Sequence, residues 1–173
     1  MTTAIFCSPK KDGETSYLFN LFISGREDVK TFYMYEENIK PCVGCGSCGK
    51  TGRCIYDDTN DILLSIEKSS YVIIASPVYN YSFPSPAKAF LDRLQPYYGS
   101  SPKIDKKGFL LVACGKSGKY SLEIMKKQTE YAFSVLGVKY SGGLFMTGTD
   151  KNKSLPKSEE KNVVKTADKF FKI

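Results

Sequence analysis

The stretch "PCVGCGSCGKTGRC", residues 41 to 54, carries four of the chain's six cysteines: Cys42, Cys45, Cys48 and Cys54. Thiols spaced C-x2-C-x2-C-x5-C can pair as disulfides, bind zinc, hold an iron–sulfur cluster or do redox chemistry themselves. No segment approaches eighteen consecutive apolar residues, and "MTTAIFCSPKK" lacks a basic start followed by a long apolar run, so the expectation is a soluble, cytoplasmic protein without a membrane anchor. Structural disulfides are rare in a reducing compartment, which turns the cluster of thiols toward metal or redox chemistry. The spacing differs from the two separated pairs of a zinc ribbon. Glycines 44, 46, 49 and 52 let the backbone fold around a compact object. That favours a [4Fe–4S] cluster, with zinc and free or redox-active thiols as the alternatives.

The chain contains no histidine. This excludes Ser-His-Asp and Cys-His hydrolases, two-His metal sites and mixed Cys/His zinc fingers. The net charge of +7 suits an anionic partner, yet the lysines are spread along the chain and thicken only from Lys151 to Lys172. That distribution reads as a solvated basic face rather than a nucleic-acid interface.

The second chemical stretch is "CSPKKDGETS", following the apolar run "TAIFC" and preceding a helical spacing of apolar residues at Leu18, Leu21 and Phe22. Ser8, Thr15 and Ser16 offer hydroxyls, Lys10 a cation, Gly13 flexibility, and the helix start its free N–H groups. This is a cradle for a phosphate or, alternatively, an ordinary capped turn. The "GKS" at 115 to 117 is not a Walker A loop, because position 110 is leucine where that motif needs glycine.

These loops need elements to position them, and the chain alternates strand and helix patterns. "VKTFYMY" is a second strand, and the cysteine segment then follows as a loop, residues 41 to 57. "DDTNDILLSIEK" is a helix with a capping-type start, "YVIIASPVY" a strand covered on both faces, and "PSPAKAFLDRLQ" a helix with prolines confined to its first turn. "KGFLLVACG", "SLEIMKKQTEYAFSVLG", "VKYSGGLFM" and "KSEEKNVVKTADKFFK" complete the series. At 173 residues, 42% of them hydrophobic, the chain is expected to be one domain, residues 1–173. Its fold is an α/β, flavodoxin-like three-layer sandwich with a five-stranded parallel sheet of order 2-1-3-4-5. In such a sheet the ligand lies beyond the carboxyl ends of the strands, where "CSPKKDGETS", "SPVYNYSFP" and "CGKSGKY" should meet.

"SPKKDGETS", "IKPCVGCGSCGKTGRCIYDD" and "ASPVYNYSFPSPAKAFLDRL" together resemble, in order and spacing, the iron–sulfur flavoproteins, a branch of the NADPH-dependent FMN reductases. The resemblance runs over roughly residues 3 to 115. It implies that Ser8, Lys10, Gly13, Thr15 and Ser16 hold an FMN phosphate. Ser76, Pro77, Val78, Tyr79 and Asn80 would lie along the flavin ring, with Cys114, Gly115 and Gly118 closing its other side. It also implies Cys42, Cys45, Cys48 and Cys54 as ligands of a [4Fe–4S] cluster, NAD(P)H as co-substrate, a small-molecule or protein electron donor and acceptor, and a homo-dimer or homo-tetramer. A flavin accepts hydride at its own ring, so no catalytic acid or base is assigned. The activity implied is that of an FMN-dependent oxidoreductase; a cluster-free NAD(P)H:FMN or quinone reductase and a flavodoxin-like carrier are the alternatives. Tyr79 is either a stacking platform or a half-buried loop aromatic. Lys88 and Arg93 are read as helix-end partners of Asp92 rather than contacts to a nicotinamide phosphate, and Cys7 and Cys114 as small buried hydrophobes.

Overall fold

The computed structural model describes the chain apart from residues 100, 101, 116 to 118, 152 and 173 and the side chain of residue 119. In chain order the elements are β1 (Thr2–Phe6), α1 (Glu14–Phe22), β2 (Val29–Tyr33), α2 (Ser47–Thr51), α3 (Asn60–Lys68) and β3 (Tyr71–Pro77). Then follow α4 (Ser85–Asp92), a 3₁₀ turn (Gln95–Tyr97), β4 (Lys106–Ala113), α5 (Lys119–Val135), β5 (Val138–Met146) and α6 (Lys157–Phe171). The five strands pair in parallel in the order β2-β1-β3-β4-β5, as the sequence predicts.

Alternation along the central strands divides the core in two. Ile5, Ile74, Leu110 and Val112 pack with Ile62 and Ile66 of α3, Phe90 of α4 and Met125 and Phe133 of α5. Ala4, Phe6, Ile73, Ala75 and Leu111 pack with Leu18 and Phe22 of α1 and Val163 and Phe170 of α6. Because both faces are covered, β3 and β4 read as unbroken apolar runs rather than alternating ones. Phe22 stacks on Phe109 with ring centroids 4.7 Å apart, joining α1 to β4.

Two local expectations are corrected. The cysteine segment is not wholly loop: Ser47–Thr51 form the short helix α2, bounded by Gly46 and Gly52, each at φ 70°. That left-handed backbone admits glycine without the strain a Cβ would bring, so the glycines begin and end the turn. The expected capping-type start of α3 is absent too, since the Thr59 side chain makes no cap hydrogen bond. Instead the Asn60 N–H donates to the Asp57 carbonyl. Among the described residues no helix is long and apolar enough to cross a membrane.

Candidate functional site

Parallel strands place their carboxyl ends on one edge, and the registers Phe6↔Ala75, Pro77↔Ala113 and Ala113↔Met146 bring the loops after β1, β3 and β4 together there. The chain runs from β1 outward to β2, then back across to β3, so β1 and β3 flank the switch point where such sheets bind ligands.

The loop after β1 closes on itself through its own hydroxyls. Ser8, Thr15 and Ser16 are all buried. The Ser16 hydroxyl donates to the Lys11 carbonyl at 2.6 Å and the Lys10 N–H donates to the Ser8 hydroxyl at 3.1 Å, so these two serines close the loop on itself. Thr15, only 4% exposed, has no side-chain hydrogen-bond partner among the described residues. Gly13 caps α1 without any side-chain bond to the helix N–H groups. The Thr15 hydroxyl thus stands beside the uncapped N–H groups of the α1 start, where an anion could accept from both. Lys10 makes no ion pair among the described residues, whereas Lys11 pairs with Glu36 at 2.5 Å and lies 4.1 Å from the Tyr33 ring centroid.

The loop after β3 is held by a tight turn that its sequence does not announce. The Tyr79 N–H donates to the Ser82 carbonyl and the Ser82 N–H to the Tyr79 carbonyl, at 2.9 and 3.0 Å. Asn80 and Tyr81 between them sit at φ 48° and 66°. Asparagine tolerates this region, but tyrosine there costs about 1–2 kcal/mol, a local strain of the kind found at ligand sites. The turn leaves Tyr79 exposed, not half-buried. Ser76 is buried with its hydroxyl donating to the Pro77 carbonyl at 2.7 Å, and Val78 is half-buried. Sequence reasoning missed Tyr35, which lies just beyond β2. Burial first, and then the neighbouring Tyr79 and Cys7, push its phenol pKa upward. The only signal was its place at the carboxyl end of a strand.

In the loop after β4, the Cys114 N–H donates to the Met146 carbonyl and its carbonyl accepts from Thr149, so this buried residue contributes shape rather than a free polar group. A Cβ on Gly115 would stand 2.3 Å from Asp150 Oδ1; the glycine lets the β5–α6 connection close over the loop. Gly118 lies outside the described residues. Cys7 is buried as expected, and burial pushes its thiol pKa strongly upward, which keeps it inert.

The four clustered cysteines line a single cavity of about 410 Å³, together with Val43, Ile55, Tyr56, Asp92, Arg93 and Pro96. Cys42 and Cys45 are exposed, and Cys48 and Cys54 are half-buried. Among the described residues no three Cys, Asp or Glu side chains converge as ligands of one ion. A tetrahedral zinc site, with Zn–S near 2.3 Å, would draw its sulfurs to within about 4 Å of one another. In a four-iron cluster each thiolate binds a different iron, so the ring of ligands is wider. The donor set around this shared cavity includes four thiols, a chemistry that suits a thiolate-ligated metal group.

Arg93 is the residue most clearly misread from sequence. Lys88 does pair with Asp92, but the Arg93 side chain, 1% exposed, pairs with Asp58 at 2.9 Å. Its Nε also donates to Cys54 Sγ at 3.0 Å. The overlooked signal is spacing: Arg93 follows buried Phe90 by three residues, placing it on the inner face of α4.

The chain belongs to the NADPH-dependent FMN reductase family, whose profile matches residues 2–151. It is 30% identical over 146 residues to an iron–sulfur flavoprotein of Archaeoglobus fulgidus, a match covering 80% of this chain and 66% of that protein. Curated relatives are matched over 35% to 66% of their own length. Among solved structures, an NAD(P)H:quinone oxidoreductase from Methanothermobacter marburgensis superposes with a TM-score of 0.70 at 16% identity, covering 97% of this chain and 92% of that one. An FMN-dependent NADH-azoreductase from Bacillus anthracis, in complex with FMN, gives 0.69 at 16% identity and 97% coverage of both chains. These two likenesses establish the flavodoxin-like fold.

Proposed function

We propose that the chain is an FMN-dependent oxidoreductase that takes electrons from NAD(P)H or a reduced carrier and delivers them, by way of FMN and a [4Fe–4S] cluster, to an acceptor. The observation that carries this reading is the presence in one chain of two groups of side chains: the Thr15 hydroxyl at an uncapped helix start beyond β1, and four thiols around one cavity. When bound, FMN supplies hydride exchange and the cluster single-electron transfer.

The chain's own residues bind, orient and exclude water. Thr15, Lys10 and the first N–H groups of α1 hold the FMN phosphate, while Ser8 and Ser16 keep their loop in shape. Ser76 to Asn80 lie along the ring, with exposed Tyr79 able to stack on it and the 79–82 turn fixing its position. Cys114 and Gly115 border the opposite side. Cys42, Cys45, Cys48 and Cys54 hold the cluster. The active species is a homo-dimer or homo-tetramer, as the resemblance to the iron–sulfur flavoproteins implies, with the cysteine loop of one subunit approaching the FMN of its neighbour. Light scattering that finds only a 19.3 kDa monomer counts against that assembly.

Steady-state NAD(P)H oxidation tests the activity. FMN-dependent turnover with a quinone or flavin acceptor is expected, and transfer to one-electron acceptors should fall selectively when any of the four cysteines becomes serine. FMN-loaded protein that oxidises neither NADH, NADPH nor a reduced carrier contradicts the assignment.

A further inference from the structure

A buried guanidinium is stable only if its donors are satisfied, and every partner of Arg93 comes from the segment that carries the cysteines. Its Nε donates to Cys54 Sγ at 3.0 Å, one terminal nitrogen to the Lys40 carbonyl at 2.9 Å, and the other to the Tyr56 carbonyl at 3.0 Å, while that nitrogen also forms an ion pair with Asp58 Oδ1 at 2.9 Å. The guanidinium also lies 5.0 Å from the Tyr56 ring centroid. Asp58 accepts in turn from the Lys40 N–H at 3.0 Å. Lys40 precedes the first clustered cysteine and Tyr56 and Asp58 follow the last, so one side chain at the end of α4 gathers both ends of the segment. No side-chain hydrogen bond joins Cys42, Cys45 or Cys48 to another described residue, which makes the environment of Cys54 distinct.

We infer that Arg93 is a positioning residue for the cysteine site: it clamps the 40–58 segment to the sheet domain and, through its N–H···S bond to Cys54, makes a cluster held there easier to reduce. The inference rests on the cluster reading above. A donor to a ligating sulfur stabilises the more electron-rich state of the cluster, as does a nearby fixed positive charge, so both raise the reduction potential. The planar fork that meets several acceptors at once is a property of arginine that lysine does not reproduce.

The test uses the full chain with Arg93→Gln, Arg93→Lys and, as a milder change to the same network, Asp58→Asn. Amide hydrogen exchange is measured on the cluster-free protein, and the midpoint potential on anaerobically reconstituted protein by dithionite titration followed with electron paramagnetic resonance. In Arg93→Gln, exchange over residues 40–58 should accelerate about tenfold while β1, β3 and β4 keep their protection. Reduction of its cluster should become about tenfold less favourable, equivalent to about 59 mV for a one-electron couple. Arg93→Lys should recover part of the potential shift, through its charge, and little of the exchange protection. If Arg93→Gln does not fold, Asp58→Asn carries the clamp test, with faster exchange confined to the same segment. Wild-type exchange and potential in folded Arg93 variants overturn the inference. A wild-type chain that takes up no iron overturns the cluster reading and the potential shift with it, and exchange still decides the clamp.

Discussion

The Tyr17 hydroxyl donates to Glu160 Oε1 at 2.5 Å and accepts from the Leu155 N–H at 3.2 Å, tying α1, whose start forms the phosphate cradle, to α6. Burial first, and then the bond to Glu160, raise the phenol pKa above its ordinary value of 10.0. A group whose pKa is higher in the folded state stabilises fully below its unfolded pKa and ceases to do so as pH rises through the folded one. Tyr17→Phe should therefore lose about 1 kcal/mol of stability at neutral pH, and its deficit against the wild type should shrink as pH climbs above 10.0. Urea unfolding of both proteins across that range is the check. A deficit that persists undiminished to about pH 12 contradicts the assignment.

Gly108 of β4 faces the Phe133 ring of α5 so closely that a Cβ would stand 2.2 Å from its Cε2 and 2.7 Å from Val138 Cγ1. Gly108→Ala should cost about 1–3 kcal/mol by overpacking and lower the melting temperature by roughly 2–12 °C. Adding Phe133→Leu should return part of the loss. A single alanine variant that melts with the wild type shows that this face has more room than the packing indicates.

Thr15→Ala and Ser16→Ala separate contact from scaffold. Losing the free Thr15 hydroxyl should weaken FMN by about 1.5–3 kcal/mol with little change in unfolding stability. Losing Ser16, whose hydroxyl bonds the Lys11 carbonyl, should weaken FMN and also loosen the loop, at about 1 kcal/mol of stability. A flavin fluorescence titration in which both variants match the wild type removes the phosphate from this loop.

Those predictions draw on different depths of the sequence. The sheet was legible because β3 and β4 are apolar runs between turn residues and the helices repeat at their own period, so a parallel order follows from few choices. The cysteine motif and the hydroxyl-rich loop stood out as candidates because their residues are close in sequence. What escaped was set by tertiary contact: the turn around Asn80 and Tyr81 contains no glycine to mark it, and Arg93 reads as one more helix-end cation until the fold brings Cys54 and Asp58 to it. The role of Ser16 is of the same kind, since a hydroxyl in a phosphate-like loop can serve the ligand or the loop, and only geometry separates the two.

Under the proposed function one chain holds FMN at the β1 and β3 loops and a [4Fe–4S] cluster at Cys42, Cys45, Cys48 and Cys54. The most direct test is anaerobic reconstitution with iron, sulfide and FMN, followed by metal, sulfide and flavin analysis and low-temperature electron paramagnetic resonance of the reduced protein. The reconstituted protein should hold about four irons and one FMN per chain and give a signal from the reduced cluster; it should lose iron but keep FMN when any one of the four cysteines becomes serine, while Cys7→Ser and Cys114→Ser keep both. Stoichiometric zinc in freshly purified anaerobic protein, or failure to take up iron while FMN binds normally, would contradict this reading and leave a cluster-free flavin reductase.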